Sequence, residues 1–168
     1  MATKVLSDNE IDACCLRIIE EISTNYPHYL SHVIFLYNYG CRINELFTDR
    51  ITLDGINQKV IIRPQKGNNE RILNYYNGDT ARTTGDILLR SDVFWYNKRN
   101  LQRVINKVNP YRAIFAGNKN INAHIFRHNY IRKKVGEGLQ LESINQLLGY
   151  TTQSVVDTYL AQSIYILT

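Results

Sequence analysis

Apolar residues recur at helical spacing in the first quarter of the chain. Residues 8–24 carry isoleucine and cysteine side chains at i, i+3, i+4 and i+7 positions, which predicts an amphipathic helix. Ser7 and Glu10 stand three residues apart and predict a capping box at the start of this helix. Pro27 suits the first turn of a second helix, and Gly40 is a residue type that commonly ends one.

The middle of the chain changes to a strand pattern. Residues 59–76 contain the runs KVIIRP and ERILNYY, which are rich in β-branched and aromatic side chains. Five residues that include Lys66 and Gly67 separate the two runs, so we predict a β-hairpin with Lys66 in its turn. Pro64 indicates an edge strand or the end of a strand.

Further helical patterns lie on both sides of the hairpin. We predict longer or shorter helices, joined by loops, over residues 42–47, 91–107, 122–135, 141–148 and 152–160. Residues 77–85 and 108–121 are predicted to be loop and connection. The short helix at 42–47 places Arg42 near a helix N-terminus, where backbone N–H groups favour an anion. The predicted fold class is α+β, mostly helical with a small antiparallel sheet.

Size, charge and cysteine content limit the classes of protein to which this chain could belong. The 168 residues suit a single domain, and 20 Lys and Arg against 15 Asp and Glu give a net charge of +5, which suits a polyanionic partner. The three cysteines are odd in number and lack a C-x-x-C pair, which favours a reduced, intracellular protein without structural zinc. The N-terminus lacks the apolar segment of a signal peptide, and the longest strongly apolar stretch, VIFLY, is too short to cross a bilayer.

Six residues carry groups that could bind and cleave a phosphodiester without a metal. They lie in the segments YGCRINEL, PQKGNNER, HIFRH, LLGY and DTYL, and are Arg42, Lys66, His124, Arg127, Tyr150 and Tyr159. Guanidinium groups match phosphate oxygens and neutralise the transition state, a tyrosine can be the nucleophile, and lysine and histidine can move protons.

These segments, in this order, resemble the tyrosine recombinase (phage integrase) family. The resemblance runs from about Leu6 to Tyr159 and covers the catalytic domain of that family. LSDNEID resembles its opening helix, YGCRINEL its first-arginine box and QKGNNER its lysine hairpin. HIFRH resembles its His-x-x-Arg box, and LLGY with a tyrosine nine residues later resembles its ending. Five boxes in family order are far more specific than any one of them.

The resemblance implies a role for each site residue. Tyr159 would attack phosphorus to give a 3′-phosphotyrosyl bond and a free 5′-hydroxyl, and Lys66 would protonate the leaving oxygen. His124 would hydrogen-bond the phosphate or help to take the tyrosine proton. Tyr150 departs from the pattern, because the family usually has histidine or tryptophan after Leu-Gly. A tyrosine there can donate one hydrogen bond but cannot act as a cationic donor.

The implied function is a site-specific DNA recombinase or integrase that needs no cofactor. Double-stranded DNA is the expected partner. We expect a homotetramer on paired DNA sites, a monomer or weak oligomer without DNA, and a cytoplasmic, nucleoid-associated location with no membrane contact. Residues 1–168 are expected to form the catalytic domain without the N-terminal DNA-clamping domain of the family. The tail, residues 161–168, is expected to pack as a strand or helix on its own subunit or to be exchanged with a neighbour.

Other functions compete with this one. A non-catalytic DNA-binding regulator on the same fold and a type IB topoisomerase both fit the sequence. A metal-dependent hydrolase could use the H-x-x-x-H pairs at 28–32 and 124–128, but neither pair is followed by a good third ligand, so we predict no metal.

Two further features have open interpretations. The basic run Arg132, Lys133 and Lys134 either contacts flanking DNA phosphates or is a solvated helix face. Glu45, one turn after Arg42, either orients an active-site group or is a surface charge.

Overall fold

The computed structural model describes most of the chain with several gaps. The described residues are 3–47, 50–63, 69–77, 80, 98–109, 114–115, 119–120, 124–150, 154–161 and 164–167. Residues 65–68 of the predicted turn, which include Lys66, residues 78–79 and 81–85 of the loop predicted at 77–85, and the first part of the helix predicted at 91–107 lie outside these ranges. Thr80, within that predicted loop, is helical.

Six α-helices occur within these ranges. They are α1 (Asp8–Asn25), α2 (Leu30–Tyr39), α3 (Lys98–Val108), α4 (His124–Gly136), α5 (Leu141–Leu148) and α6 (Ser154–Ala161). The predicted capping box of α1 is confirmed. The Glu10 backbone N–H donates to Ser7 Oγ at 3.2 Å, and the Ser7 backbone N–H donates to Glu10 Oε1 at 3.1 Å.

The second predicted helix is confirmed, with a tighter first turn. A 3-10 turn at Pro27–Tyr29 leads into α2, which ends at Gly40 with φ of 60°. A β-carbon at Gly40 would come within 2.5 Å of the Tyr130 ring, so both the backbone and the close packing require glycine there.

The short helix predicted at 42–47 is a 3-10 turn over Ile43–Phe47. Its N-terminal amide is not open to an anion, because the Arg42 backbone N–H donates to Glu45 Oε1 at 2.8 Å. The Arg42 N–H is therefore not available to an anion, and Arg42 can contact one only through its side chain.

A three-stranded antiparallel sheet follows. Strand β2 (Ile51–Asp54) pairs with β3 (Lys59–Ile62), which pairs with β4 (Arg71–Asn74). The predicted hairpin corresponds to β3 and β4, with Val60 opposite Leu73 on the buried face. Strand β2 was not predicted.

A second sheet has four short strands, in the order β1-β7-β5-β6. They are β1 (Thr3–Val5), β5 (Ile114–Phe115), β6 (Lys119–Asn120) and β7 (Ile164–Leu167). The prediction of a plain connection over 108–121 is wrong at β5 and β6, which pair with each other. The C-terminal tail forms β7, which pairs with β1 and β5 of the same chain.

The buried apolar side chains form two clusters that share helix α4. Its first turns contribute Ile125 and Phe126 to a large cluster with α1, α2, α3 and the three-stranded sheet. Its later turns contribute Tyr130 and Ile131 to a smaller cluster with α5 and α6. Arg127 therefore lies on α4 where the two clusters meet. The mostly helical α+β fold class with a small antiparallel sheet is confirmed.

Candidate active site

Arg127 is the most deeply buried charged side chain at the centre of the site. Only 1% of the residue is exposed, and its Nη1 donates to the Gly40 carbonyl oxygen at 3.0 Å. Its Nε and Nη2 atoms are buried without a hydrogen-bond partner among the described residues. Burial lowers the pKa of the guanidinium. A buried cation with unused donors is costly unless an anion joins it, so this group is prepared for an anionic ligand.

Tyr150 contacts two guanidinium groups with one aromatic ring. Its ring centroid is 4.6 Å from Arg127 Cζ and 5.2 Å from Arg42 Cζ, and only 4% of the residue is exposed. An aromatic face attracts a cation, so one ring can hold two arginines that would otherwise repel each other. This role of Tyr150 was not foreseen from the sequence, which suggested only one hydrogen bond to phosphate.

Tyr159, on α6, lies close to the Arg127 guanidinium. Its ring centroid is 5.9 Å from Arg127 Cζ and 4.6 Å from the His128 ring, with which it makes an edge contact. Burial, together with the neighbouring Tyr150 and against the opposing effect of Arg127, raises the pKa of the Tyr159 hydroxyl to about 12. The hydroxyl is therefore protonated at neutral pH, and its use as a nucleophile requires a group that removes the proton.

A cleft of about 200 Å³ opens onto the arginines. It is lined by residues from the Gly40 turn, from the start of α3 and from the start of α4, namely Cys41, Arg42, Ile43, Asn44, Lys98, Gln102, His124 and Arg127. His124 is exposed at the first position of α4, one turn before Arg127. Arg42, from the segment YGCRINEL, thus faces the same cavity as His124 and Arg127, from the segment HIFRH.

A buried ion pair between Arg71 and Glu45 lies next to the candidate site. Arg71 Nη2 donates to Glu45 Oε1 at 3.0 Å, and Arg71 Nη1 donates to the Leu148 carbonyl oxygen at 2.9 Å. Glu45 is buried, so the interpretation of this residue as a surface charge is wrong. The same Glu45 oxygen accepts the Arg42 backbone N–H, which ties this carboxylate to the active-site segment.

The basic run on α4 has protein partners at each position. Arg132 Nη1 pairs with Asp8 at 2.9 Å, and Lys134 Nζ pairs with Glu137 at 3.2 Å. Lys133 Nζ donates to the Tyr37 hydroxyl at 2.9 Å. Contact of these residues with DNA stays a prediction.

Lys66 falls outside the described residues, so its distance from the cleft is not defined. Within the described ranges, histidine, cysteine and carboxylate side chains form no group of three that could hold a metal ion. None of the helices in these ranges is long and apolar enough to cross a membrane.

Comparisons with known proteins bear on the fold. No protein-family model and no curated protein sequence matches the chain. Solved structures do match it. The XerA recombinase aligns with a TM-score of 0.65 at 19% identity, over 93% of this chain and 58% of that one. The fold is that of a tyrosine recombinase catalytic domain.

Two other tyrosine recombinase structures contain DNA. The Tn1549 transposon integrase in complex with transposon right-end DNA aligns with a TM-score of 0.63 at 16% identity, over 93% of this chain and 61% of that one. XerH bound to its difH substrate in a pre-cleavage complex aligns with a TM-score of 0.56 at 17% identity, over 92% of this chain and 49% of that one. The chain therefore spans between about half and three-fifths of the length of these recombinases.

Sequence reasoning missed three features of this recombinase fold. His128 was considered only as a metal ligand, but it contacts Tyr159. Lys98 and Gln102 line the cleft and lie in a segment without a recognisable motif. Arg71 could have been found from the sequence. Residues two apart in a strand lie on the same face, so Arg71 shares the buried face of β4 with Leu73, and an arginine on a buried face needs a partner.

Proposed function

We propose that this chain is the catalytic domain of a site-specific DNA recombinase or integrase that cleaves and rejoins strands without a metal. The observation that carries the proposal is Arg127, buried with two unused nitrogen donors beside Arg42 and Tyr159. A phosphodiester would supply the missing acceptors and would be brought next to the tyrosine hydroxyl. The DNA complexes of the Tn1549 integrase and XerH, which share the fold, support DNA as the ligand.

In the proposed reaction the Tyr159 hydroxyl oxygen attacks phosphorus. A phosphorus–oxygen bond to tyrosine forms, the bond to the 5′-oxygen breaks, and the product is a 3′-phosphotyrosyl ester with a free 5′-hydroxyl. The phenolic proton leaves Tyr159 with the help of His124, and Lys66 supplies a proton to the 5′-oxygen. Arg42 and Arg127 stabilise the charge on the non-bridging oxygens. Attack by a 5′-hydroxyl on the ester reverses these steps.

The assembly proposed for this reaction is a tetramer on two paired DNA sites, formed from weakly associating subunits in a DNA-associated, cytoplasmic setting. Strand β7 supplies a route for contact between subunits, because its pairing with β1 and β5 is a backbone pairing that β7 of a neighbouring copy would make equally well. Exchange of this strand between neighbours would link their active sites. Removal of residues 161–168 should then weaken association on DNA.

Covalent trapping tests the proposal. The protein and its Tyr159→Phe variant are incubated in EDTA with nicked duplexes whose sequence is randomised around the nick, and the reaction is stopped with SDS. We expect a DNA–protein adduct from the unaltered protein and none from Tyr159→Phe, with equal DNA binding by both. Sequencing of the trapped DNA identifies the preferred site. DNA binding without any adduct would instead support the non-catalytic regulator.

The same trapped DNA separates the recombinase from a type IB topoisomerase. A recombinase should give adducts enriched for one sequence and should join two such sites. Relaxation of supercoiled DNA without site preference would favour the topoisomerase.

A further inference from the structure

Arg71 connects parts of the chain that are distant in sequence. It begins strand β4, is 4% exposed and places its guanidinium between two acceptors on different segments. Nη1 donates to the Leu148 carbonyl oxygen at 2.9 Å, and Nη2 donates to Glu45 Oε1 at 3.0 Å. A planar guanidinium serves the two acceptors with two different nitrogens, whereas lysine has a single ammonium nitrogen.

Each acceptor is directly joined to a residue of the active site. Leu148 ends α5 and precedes Gly149 and Tyr150. Glu45 accepts the Arg42 backbone N–H at 2.8 Å with the same oxygen that it offers to Arg71. The two segments fixed by Arg71 are thus the ones whose side chains meet as a cation–π pair at 5.2 Å.

Gly149 shows how closely the turn fits against the hairpin. Its φ is 75°, and a β-carbon there would lie 2.7 Å from Arg71 Cδ and 2.5 Å from the Asn69 carbonyl oxygen. The Asn69 backbone N–H donates to the Gly149 carbonyl oxygen at 2.8 Å. The turn that presents Tyr150 therefore rests directly on Asn69 and Arg71, with no space for another side chain.

We propose that Arg71 is a positioning residue for the reaction. Through the Leu148 carbonyl and Glu45 it holds Tyr150 against Arg42, and through Tyr150 it sets the place of Arg127. A displacement of about 1 Å at a reacting group can cost about 100-fold in rate. This inference rests on the proposed function for its catalytic consequence, while its geometric content is independent of DNA cleavage.

Two sets of variants separate positioning from stability. Arg71→Lys keeps the charge opposite Glu45 but gives up one of the two contacts. Arg71→Met combined with Glu45→Gln removes both charges and leaves an amide oxygen for the Arg42 backbone N–H. Arg17→Met repeats the chemical change at an exposed position of α1, and Ile22→Val lowers stability from a buried position of α1.

The first readout needs no DNA. The ring signals of ¹³C-labelled tyrosines are assigned by single Tyr→Phe substitutions and compared between variants. We expect the Tyr150 and Tyr159 signals to shift in both Arg71 variants while the signal of Tyr29, which is buried elsewhere, stays in place. Unchanged Tyr150 and Tyr159 signals would overturn the inference.

The second readout is the rate of adduct formation at saturating protein on the randomised nicked duplexes, with DNA affinity measured by fluorescence anisotropy. We expect a rate loss of about 10- to 100-fold with affinity within about twofold of the unaltered protein. Ile22→Val and Arg17→Met should keep the full rate. If the Arg71 variants lose rate only to the extent that Ile22→Val does, Arg71 is merely structural and the inference fails. If the unaltered protein forms no adduct, the proposed function fails, and the tyrosine signals alone decide the role of Arg71.

Discussion

Arg71 and Arg127 are both almost fully buried in the part of the chain that the structure describes, but their surroundings differ. Arg71 donates to the Glu45 carboxylate and to a backbone carbonyl, which leaves only Nε without an acceptor. Arg127 donates to one backbone carbonyl and leaves both Nε and Nη2 without an acceptor. Aromatic rings take the place of a carboxylate beside it.

The difference distinguishes a charge that the protein neutralises from a charge that, in the proposed function, binds an anionic ligand. Removing an ion from water costs several kcal/mol, and a carboxylate partner returns much of that cost. Because Arg127 lacks such a partner, the folded protein retains part of the free-energy cost of burying this cation, and a bound anion would reduce that cost. Active sites commonly carry destabilising features of this kind, so the two arginines should respond in opposite ways to removal.

The largest effect on stability is expected at Arg71. Arg71→Met leaves the buried Glu45 carboxylate without its cation, and breaking a buried pair from one side typically costs about 3–5 kcal/mol. Urea unfolding should show a loss of that size. Adding Glu45→Gln should recover most of it, because the uncompensated charge is then gone. A loss below about 1 kcal/mol in Arg71→Met would show that the pair is not important for the fold.

Arg127→Met should have the opposite effect on stability and a large effect on chemistry. Removal of the unpaired buried charge is expected to raise the free energy of unfolding by about 1 kcal/mol. Loss of a preorganised donor to the transition state should slow adduct formation by about 10²- to 10³-fold. Urea unfolding and the trapping assay measure the two effects. If Arg127→Met loses as much stability as Arg71→Met does, the two arginines do not differ in the way proposed.

The sequence predicted the elements with strong periodicity and the residues within recognisable motifs. Helix α5 matches its predicted range, and the Ser7–Glu10 capping box is present. The strands of the second sheet escaped prediction because β5 and β6 have two residues each and are defined by pairing rather than by pattern. Periodicity carries no signal over so short a run.

Prediction of the candidate site from the sequence has the same limit. Motif spacing predicted Arg42, Arg127 and Tyr159 as site residues, but the partner of Glu45 was missed because it lies 26 residues away along the chain. The contact of Tyr150 with two guanidinium groups was missed for a similar reason, since it depends on three segments meeting in space. Contacts between distant segments are a property of packing, which a single sequence does not display.

A smaller effect is expected from oxyanions. Sulfate or vanadate should occupy the donors of Arg127 and stabilise the protein by about 1–2 kcal/mol at an anion concentration about ten times the dissociation constant. Thermal unfolding in sulfate is compared with unfolding in sodium chloride of equal ionic strength. The stabilisation should disappear in Arg127→Met and persist in Arg17→Met. Equal stabilisation of all three proteins would indicate a general salt effect.

The smallest effect is expected at alkaline pH. It concerns Tyr159, the tyrosine that lies beside Arg127. The pKa of Tyr159 is raised to about 12, chiefly by burial, whereas a tyrosine in an unfolded chain has a pKa near 10. Between these values the folded state binds more protons than the unfolded state, so stability falls as pH rises through this window. At pH 11 this group alone should reduce the free energy of unfolding by about 1 kcal/mol relative to pH 9.

Urea unfolding at the two pH values measures this term. The decrease should be smaller by that amount in Tyr159→Phe, which has no hydroxyl to titrate. Tyr130→Phe is the matched control, because burial also raises the pKa of Tyr130 to about 12, but that tyrosine is not among the rings that face Arg127. Arg127→Met then isolates the effect of the guanidinium. Since Arg127 lowers the pKa of Tyr159, its removal should raise that pKa, which is followed by the ring signal of ¹³C-labelled Tyr159 at alkaline pH, and should leave the pKa of Tyr130 unchanged. Equal changes for both tyrosines would mean that Arg127 acts on the whole fold and has no specific influence on the proposed nucleophile.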